Sequence, residues 1–311
     1  MRKYILYNPL SGNERVTVLT KRIDALFIGH ELIYREITEI PDYGEFFSSL
    51  DKTDDVILCG GDGTLNRFLN SVSHIDIKNR VFYYAAGSGN DFLRDLGKPQ
   101  GSEPLLLNGY FGTLPEVEFN EERIKFVNGI GFGLDGYCCV EGNEIRKKTR
   151  KKINYTKIAL KGIMLFFKPR SGRVTVDGET HEFKKIWMAT AMKGKYLGGG
   201  MMLAPYQDRN SDTLTLCVIH DCKIPTLLYA FTTVFKGKHV KFKKIVHFYT
   251  GSEISVEYDS PCDLQIDGES FRNVKSYTAR TKAPTVKQTK RASKNKVEVP
   301  QENEQLSLEL I

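Results

Sequence analysis

The chain has 311 residues, of which 41% are hydrophobic, and a formal net charge of +7 at pH 7. It is long enough for two domains with real cores. Its apolar runs are all shorter than the roughly 20 residues of a membrane-spanning helix, which excludes that class of protein. The six cysteines form neither a C-x-x-C pair nor a zinc-site spacing. With no export signal after Met1, we expect reduced thiols and a cytoplasmic protein.

Strand-like and helical segments alternate over the first hundred residues, which predicts a parallel sheet wound with helices. Each of three apolar runs is followed by a turn rich in Gly, Asn or Ser and then by a helical pattern. In chain order the segments are strand Lys3–Tyr7 with turn Asn8–Gly12 and helix Val16–Phe27, strand His30–Ile37, strand Val56–Cys59 with turn Gly60–Thr64 and helix Leu65–Val72, and strand Val81–Ala86 with turn Gly87–Asp91 and helix Phe92–Leu96.

The three turns are expected to line one edge of this sheet, because ligands of such sheets lie outside the carboxyl ends of the strands. Glycines allow a close backbone approach, and a following helix directs its free N–H groups at a phosphate. Asp62 would repel a phosphate unless a cation lies between them, so the turn at 60–64 favours a magnesium nucleotide. The alternative is a tight strand-to-helix turn in which Thr64 is the helix cap.

The pattern changes near residue 112, after which short strands are separated by turns, as in an antiparallel sandwich. The candidate strands are Glu116–Phe119, Lys125–Val127, Arg173–Val176, Ile186–Thr190, Leu214–Ile219 and Ile254–Tyr258. From Lys282 the chain is polar and rich in Lys, Gln and Glu, which is typical of disorder. We therefore predict an α/β domain over 1–112, a β-rich domain over 113–281 and a disordered tail over 282–311.

Six motifs in order resemble the diacylglycerol kinase catalytic-domain family, which includes bacterial lipid kinases, ceramide kinases and sphingosine kinases. The resemblance spans Met1 to about residue 280. The motifs are Asn8–Gly12, Gly60–Thr64 with Asn66, Gly87–Phe92, Asn128–Asp135, Gly198–Gly200 with Leu203–Pro205, and Gln265–Glu269. This resemblance implies an α/β nucleotide-binding domain, a β-rich second domain and an active site in the cleft between them.

The resemblance also implies which residues bind ATP and Mg²⁺. The family's nucleotide contacts correspond to Asn8, Pro9, Ser11, Gly12, Thr38, Gly60, Gly61, Asp62, Gly63, Thr64, Leu65, Asn66 and Ser88. Asp62 is the candidate for the catalytic Mg²⁺, with Asn90, Asp91 and Asp135 in support. Two of these have other interpretations: Asp91 as a helix N-cap and Asp135 as the end of a glycine-rich turn.

Glu269 corresponds to the carboxylate that accepts the proton of the acceptor hydroxyl. The triplet Asp-Gly-Glu occurs twice, however, at 177–179 and at 267–269. Asp-Gly between alternating runs is a common hairpin turn. We interpret the early copy as a hairpin and the late copy, which follows the Gly-Gly-Gly segment as in the family, as the site of the base.

A second, structural Mg²⁺ is implied in the loop after the Gly-Gly-Gly segment, held by Asp212 and the backbone carbonyls of Arg209 and Leu214. The family's usual Asp-Gly is replaced here by Asp-Thr or Ser-Asp. Two further departures are Arg67 in place of a glutamate and Ser88 in place of a threonine.

Two lysine-rich segments adjoin apolar residues, as expected at an anionic membrane surface. Residues 146–152 precede the helix-compatible stretch 153–167, and lysines between 236 and 244 lie near Phe235, Phe242 and Phe248. A solvated basic face is the alternative, and no nucleic-acid motif accompanies either segment. A homodimer is compatible with the resemblance.

These features favour an ATP- and Mg²⁺-dependent kinase, peripheral to the inner face of the membrane, that phosphorylates a lipid hydroxyl, most directly that of diacylglycerol. Two alternatives remain open. One is a NAD kinase, whose sheet uses a similar Gly-Gly-Asp-Gly turn, and the other is a regulator that binds nucleotide or lipid without turnover.

Overall fold

The computed structural model describes residues 1–8, 16–87, 89–148 and 153–281. The strands in these ranges are β1 (Arg2–Tyr7), β2 (Glu31–Glu36), β3 (Asp55–Gly60), β4 (Arg80–Ala85), β5 (Leu105–Leu106), β6 (Glu116–Phe119), β7 (Glu122–Lys125), β8 (Gly129–Gly133), β9 (Arg170–Val176), β10 (Glu179–Met192), β11 (Tyr196–Leu197), β12 (Met201–Met202), β13 (Leu214–His220), β14 (Val246–Gly251), β15 (Glu253–Ile266) and β16 (Glu269–Arg280).

The α-helices in the same ranges are α1 (Val16–Leu26), α2 (Tyr43–Ser48), α3 (Asp62–Ser71), α4 (Asp91–Asp95), α5 (Leu134–Lys148), α6 (Tyr155–Lys161) and α7 (Ile224–Thr233). Short 3₁₀ turns occupy Ile37–Glu39, Asn108–Tyr110, Val234–Lys236 and Lys238–Lys241, and one π-helical turn spans Gly162–Phe166. The predicted disordered tail, 282–311, lies outside the described residues.

The N-terminal sheet has the strand order β2-β1-β3-β4-β5. Strands β1 to β4 pair in parallel, and the short β5 adds an antiparallel edge to β4. Every residue of β3 is buried. The sequence of a strand that is covered on both faces is a nearly continuous run of apolar residues. This pattern identified the strand in the sequence. The prediction of an α/β domain with a parallel sheet is confirmed.

The C-terminal sheet has nine strands in the order β14-β13-β10-β8-β15-β16-β6-β7, with β9 paired to both β10 and β15. All of its pairs are antiparallel. The long strands β10 and β15 each pair with β9 over one half and with β8 over the other. This change of partner folds the strands around one buried core. The prediction of a β-rich second domain is confirmed.

Several local predictions differ from the structure. Asp135 lies in the first turn of helix α5, so the interpretation that it ends a glycine-rich turn is wrong. The predicted strand Lys125–Val127 is also wrong beyond Lys125, where β7 ends. The amide N–H groups of Val127 and Asn128 donate to the side chain of Asp267 instead of to a neighbouring strand. Helix α5 and strands β8, β14 and β16 were not predicted.

Both Asp-Gly-Glu copies form two-residue hairpins. Asp177 and Gly178 have φ values of 47° and 88°, and Asp267 and Gly268 have 46° and 90°. Positive φ at both central residues is the geometry of a type I′ turn. The backbone therefore does not distinguish the two copies, and only their surroundings can.

Candidate active site

The residues that follow strands β1 to β4 lie at one edge of the parallel sheet. Asn8 follows β1, Thr38 lies in the 3₁₀ turn after β2, Gly61 follows β3, and Ala86 and Gly87 follow β4. The expected edge is thus formed by described residues from every unit. The predicted contacts Pro9, Ser11, Gly12 and Ser88 lie outside the described residues.

Two glycine turns touch at this edge. A Cβ placed on Gly87 would lie 2.5 Å from the Cα of Gly61, which no side chain could tolerate. A Cβ on Gly89 would likewise lie 3.3 Å from the Cα of Gly199, in the Gly-Gly-Gly segment. Glycines at these contacts let three backbone segments from both domains meet.

Asp62 connects the first of these turns to the second. It is the first residue of α3, which is preceded by Gly61 as N-cap without a side-chain cap, so the alternative assignment of Thr64 as cap is wrong. Its carboxylate accepts hydrogen bonds of 2.9 Å from the backbone N–H groups of both Asp91 and Phe92. Asp62 therefore satisfies free N–H groups at the start of helix α4.

Asp91 is buried and lies beside Asp62. Its Oδ2 accepts a hydrogen bond of 2.7 Å from the backbone N–H of Gly199, so it does not cap its own helix. Among the described residues its Oδ1 is buried without a partner. Burial, followed by repulsion from Asp62, raises the pKa of Asp91 to about 6. Two neighbouring carboxylates, one with an unpartnered oxygen, fit a hard cation such as Mg²⁺.

The described part of the chain adds no third metal-binding side chain to this pair. Among residues 1–8, 16–87, 89–148 and 153–281, no three His, Cys, Asp or Glu side chains are grouped so that they could hold a metal ion. A cation at Asp62 and Asp91 would therefore need oxygens from water or from a bound phosphate, which is how Mg²⁺ usually binds in phosphoryl-transfer sites.

Glu269 lies across the domain interface from helix α3. Its Oε1 forms an ion pair of 3.0 Å with Nε of Arg67, and both side chains are largely exposed. Beside this pair is a cavity of about 310 Å³. Its walls combine apolar side chains with amides and are formed by Asn66, Arg67, Asn70, Ser71, Ile124, Ile266, Glu269 and Phe271. A carboxylate in the wall of a largely apolar cavity suits a substrate that is amphiphilic.

The buried carboxylate of Asp267 fixes the hairpin that carries Glu269. It accepts hydrogen bonds from the backbone N–H groups of residues 127–129, of which those from Asn128 and Gly129 measure 2.8 and 2.9 Å. It also accepts a bond of 2.6 Å from Nδ2 of Asn66 on α3. Burial raises the pKa of Asp267, and the three backbone donors oppose that shift. The equivalent Asp177 of the early copy is exposed, and its carboxylate accepts hydrogen bonds from Ser252 and Glu253.

Asp135 lies behind the same hairpin and not at the glycine turns. Its Oδ2 accepts a hydrogen bond of 3.0 Å from Gln265, whose Oε1 in turn accepts from the backbone N–H of Gly268. Burial raises the pKa of Asp135 to about 6. The structure thus places it in support of the turn, two hydrogen bonds from the residue before Glu269.

The three residues of the implied structural Mg²⁺ site lie in one loop but differ in environment. Asp212 is exposed, and Leu214 is buried at the start of β13. The guanidinium of Arg209 is buried and bonds Asp95 at 2.6 Å, the carbonyl of Val127 at 2.6 Å and Oδ1 of Asn128 at 2.7 Å. Sequence reasoning missed this side chain and its partner Asp95.

Two family models match the chain: "Diacylglycerol kinase catalytic domain" over residues 2–110, and "YegS C-terminal NAD kinase beta sandwich-like domain" over 128–285. A diacylglycerol kinase of Bacillus subtilis is 23% identical, covering 86% of this chain and 89% of that protein. One from Staphylococcus saprophyticus is 24% identical, covering 89% and 93%.

The fold agrees with these matches. The crystal structure of a diacylglycerol kinase from Bacillus anthracis superposes with a TM-score of 0.57 at 20% identity, covering 90% of this chain and 93% of that one. Both matched models and the curated relatives point to one group. The chain belongs to the diacylglycerol kinase catalytic-domain family of lipid kinases.

Proposed function

We propose that this protein transfers the γ-phosphoryl group of ATP to a lipid hydroxyl in a Mg²⁺-dependent reaction, with diacylglycerol as acceptor and phosphatidic acid as product. In this proposal residues 1–112 bind the nucleotide, and residues 113–281 bind the lipid together with the side of helix α3 that faces them. The observation that carries it is the position of helix α3. Its first residue, Asp62, lies at the glycine turns, and its middle contacts both Asp267 and Glu269.

The nucleotide phosphates would lie above the turns that contain Gly61, Gly87 and Gly199. Backbone N–H groups there can approach an anion closely because no side chain intervenes. Mg²⁺ bound by Asp62 and Asp91 would neutralise charge on the phosphate oxygens. The raised pKa of Asp91 supports this role, since a nearby cation would relieve the cost of its buried charge.

Glu269 would act as the general base. As the acceptor oxygen bonds to the γ-phosphorus, its proton passes to the Glu269 carboxylate, and the bond to the bridging oxygen breaks, with the electron pair leaving on ADP. The adjoining cavity would hold the glycerol backbone beside its amide wall and the first acyl carbons beside Ile124, Ile266 and Phe271. Arg67 would orient the base through their 3.0 Å ion pair.

Transfer of labelled γ-phosphate tests the acceptor. The protein would be supplied with ATP and mixed anionic micelles that contain diacylglycerol, phosphatidylglycerol or sphingosine, and separately with NAD, each with and without Mg²⁺. The proposal requires label in diacylglycerol only when Mg²⁺ is present. Label in another lipid would show that diacylglycerol is not the acceptor, and label in NAD would show that the substrate is not a lipid. Transfer without Mg²⁺ would overturn the proposed role of the metal.

The lipid would be reached at an anionic membrane surface. The π-helical turn presents Met164, Leu165 and Phe166, which are 52%, 72% and 62% exposed, and it packs beside helix α7. Next to Phe166 is a cavity of about 420 Å³ whose wall includes Lys168, Arg170 and Arg272. Exposed apolar side chains beside three cations are complementary to acyl chains under anionic headgroups. None of the described helices is long and apolar enough to cross a bilayer.

Vesicle co-sedimentation tests this surface. We expect Leu165→Ser to weaken binding to vesicles of phosphatidylcholine and phosphatidylglycerol several-fold, and Ile28→Ser, at an exposed residue of the other domain, to leave it unchanged. Equal binding by the wild type and Leu165→Ser would overturn the assignment, and so would equal binding to vesicles without phosphatidylglycerol. Residues 149–152 of the predicted basic run 146–152 lie outside the described residues.

A further inference from the structure

The loop 207–214 is where the family resemblance implies a structural Mg²⁺, bound by Asp212 and two backbone carbonyls. A Mg²⁺ site requires near-octahedral oxygens at about 2.0–2.1 Å that are free to face the ion. Whether this loop offers such oxygens depends on what its carbonyls and carboxylates already contact.

Side-chain N–H groups already fill the inside of the loop. Nε2 of the buried Gln207 donates to the carbonyls of Asp208 and Thr213, both at 2.9 Å. Its Oε1 accepts a bond of 2.6 Å from Oγ1 of Thr215, which fixes the orientation of the amide. The carbonyl of Asp208 also accepts from Oγ of Ser211 at 2.8 Å.

A cation of the protein itself enters the loop from the neighbouring strand. Lys193 follows the last residue of β10 and is only 7% exposed. Its Nζ donates to the carbonyl of Ser211 at 2.5 Å. Burial and then the guanidinium of Arg209 lower the pKa of Lys193, while the carboxylates of Asp212 and Asp208 oppose this shift. The ammonium is thus held inside the loop by the carbonyl of Ser211, the residue before Asp212.

We propose that the ammonium group of Lys193 takes the place of the structural Mg²⁺, so that this loop is held together without a metal ion. The ammonium and Gln207 together use the carbonyls of three of the loop's residues. A divalent ion bound by Asp212 would lie next to this buried positive charge, which repels it. The contacts of the loop around Asp212 therefore favour one monovalent group of the protein over a bound ion.

The test measures metal binding without nucleotide, so it does not depend on kinase activity. Wild type, Asp212→Asn, Asp62→Asn and Lys193→Asn would be titrated with Mn²⁺ by calorimetry and by thermal unfolding. We expect the wild type and Asp212→Asn to bind Mn²⁺ equally and to show equal shifts in Tm. Lys193→Asn frees the Ser211 carbonyl and removes the buried positive charge from the loop. We expect this variant to gain a Mn²⁺-dependent rise in Tm of several degrees, which a second Asp212→Asn substitution removes.

Two outcomes would overturn the proposal. The first is Mn²⁺-dependent stabilisation of the wild type that Asp212→Asn abolishes and Asp62→Asn preserves, since this would locate a bound ion in the loop. The second is a Lys193→Asn protein that folds but is not stabilised by Mn²⁺. If Lys193→Asn does not fold, the comparison of wild type with the two aspartate variants still decides between the alternatives.

Discussion

Asn66 donates a hydrogen bond of 2.6 Å to the carboxylate of Asp267, although the two residues are 201 positions apart in the chain. Asn66 lies on the helix that starts at the glycine turn, and Asp267 lies in the hairpin turn two residues before Glu269. This contact therefore sets the position of the proposed base relative to the proposed phosphate site.

Asp267→Asn should lower the free energy of unfolding by about 3 kcal/mol, because one carboxylate oxygen becomes an amide N–H group that faces the donors of Asn66 and Val127. The measurement is denaturant unfolding at pH 7. The matched control is Asp177→Asn in the other Asp-Gly-Glu hairpin, where the carboxylate is exposed. There we expect a loss below about 1 kcal/mol. Equal losses at both hairpins would contradict the special role of Asp267.

Arg209→Met should cost about 3–5 kcal/mol, because it leaves the buried carboxylate of Asp95 without its cation. The control is Arg173→Met, which removes an ion pair of the same 2.6 Å length to Glu257 on the exposed surface. Exposed pairs contribute about 0–1 kcal/mol. Thermal unfolding of both variants checks this, and similar shifts in Tm would refute the argument from burial.

The sequence predicted the features that depend on neighbouring residues, but not the contacts between residues far apart in the chain. The glycine turns and the strands before them were predicted because continuous apolar runs and glycines are local signals. The pairs Asn66–Asp267 and Arg209–Asp95 join residues more than a hundred positions apart and leave no periodic pattern.

Two elements escaped prediction for local reasons. Helix α5 contains Gly136 and Gly142, which lower helix propensity. Gly136 is needed because a Cβ there would lie 2.0 Å from the carbonyl oxygen of Asp263 on β15. Strand β16 was hidden because its sequence is mostly polar, with Arg272, Asn273 and Lys275 within it.

Asp135→Asn should stabilise the protein above pH 6 and leave it unchanged near pH 4. Burial raises the pKa of Asp135 from its ordinary 3.8 to about 6, so the folded state binds the proton more tightly than the unfolded state. Wild-type stability therefore falls relative to the variant as the pH rises between these values, by about 1–3 kcal/mol. Denaturant unfolding at a series of pH values measures the difference, and a difference independent of pH would contradict this cause.

Arg67→Gln should lower kcat about tenfold and leave Tm nearly unchanged. The Arg67–Glu269 pair is exposed, so it contributes little to stability, but without it the base loses its fixed orientation. Arg67→Lys retains the charge without the planar guanidinium, so its kcat should lie between those of the wild type and Arg67→Gln. A fall in Tm that accounts for the loss of rate, or an unchanged kcat, would show that Arg67 does not position Glu269.

The most direct measurement is phosphate transfer from ATP to diacylglycerol by Glu269→Gln, beside Glu179→Gln in the other hairpin and with nucleotide binding measured for both. We expect Glu269→Gln to lose transfer by at least about 100-fold while it still binds ATP, and Glu179→Gln to retain wild-type activity. Wild-type transfer by Glu269→Gln would contradict the assignment of Glu269 as the base.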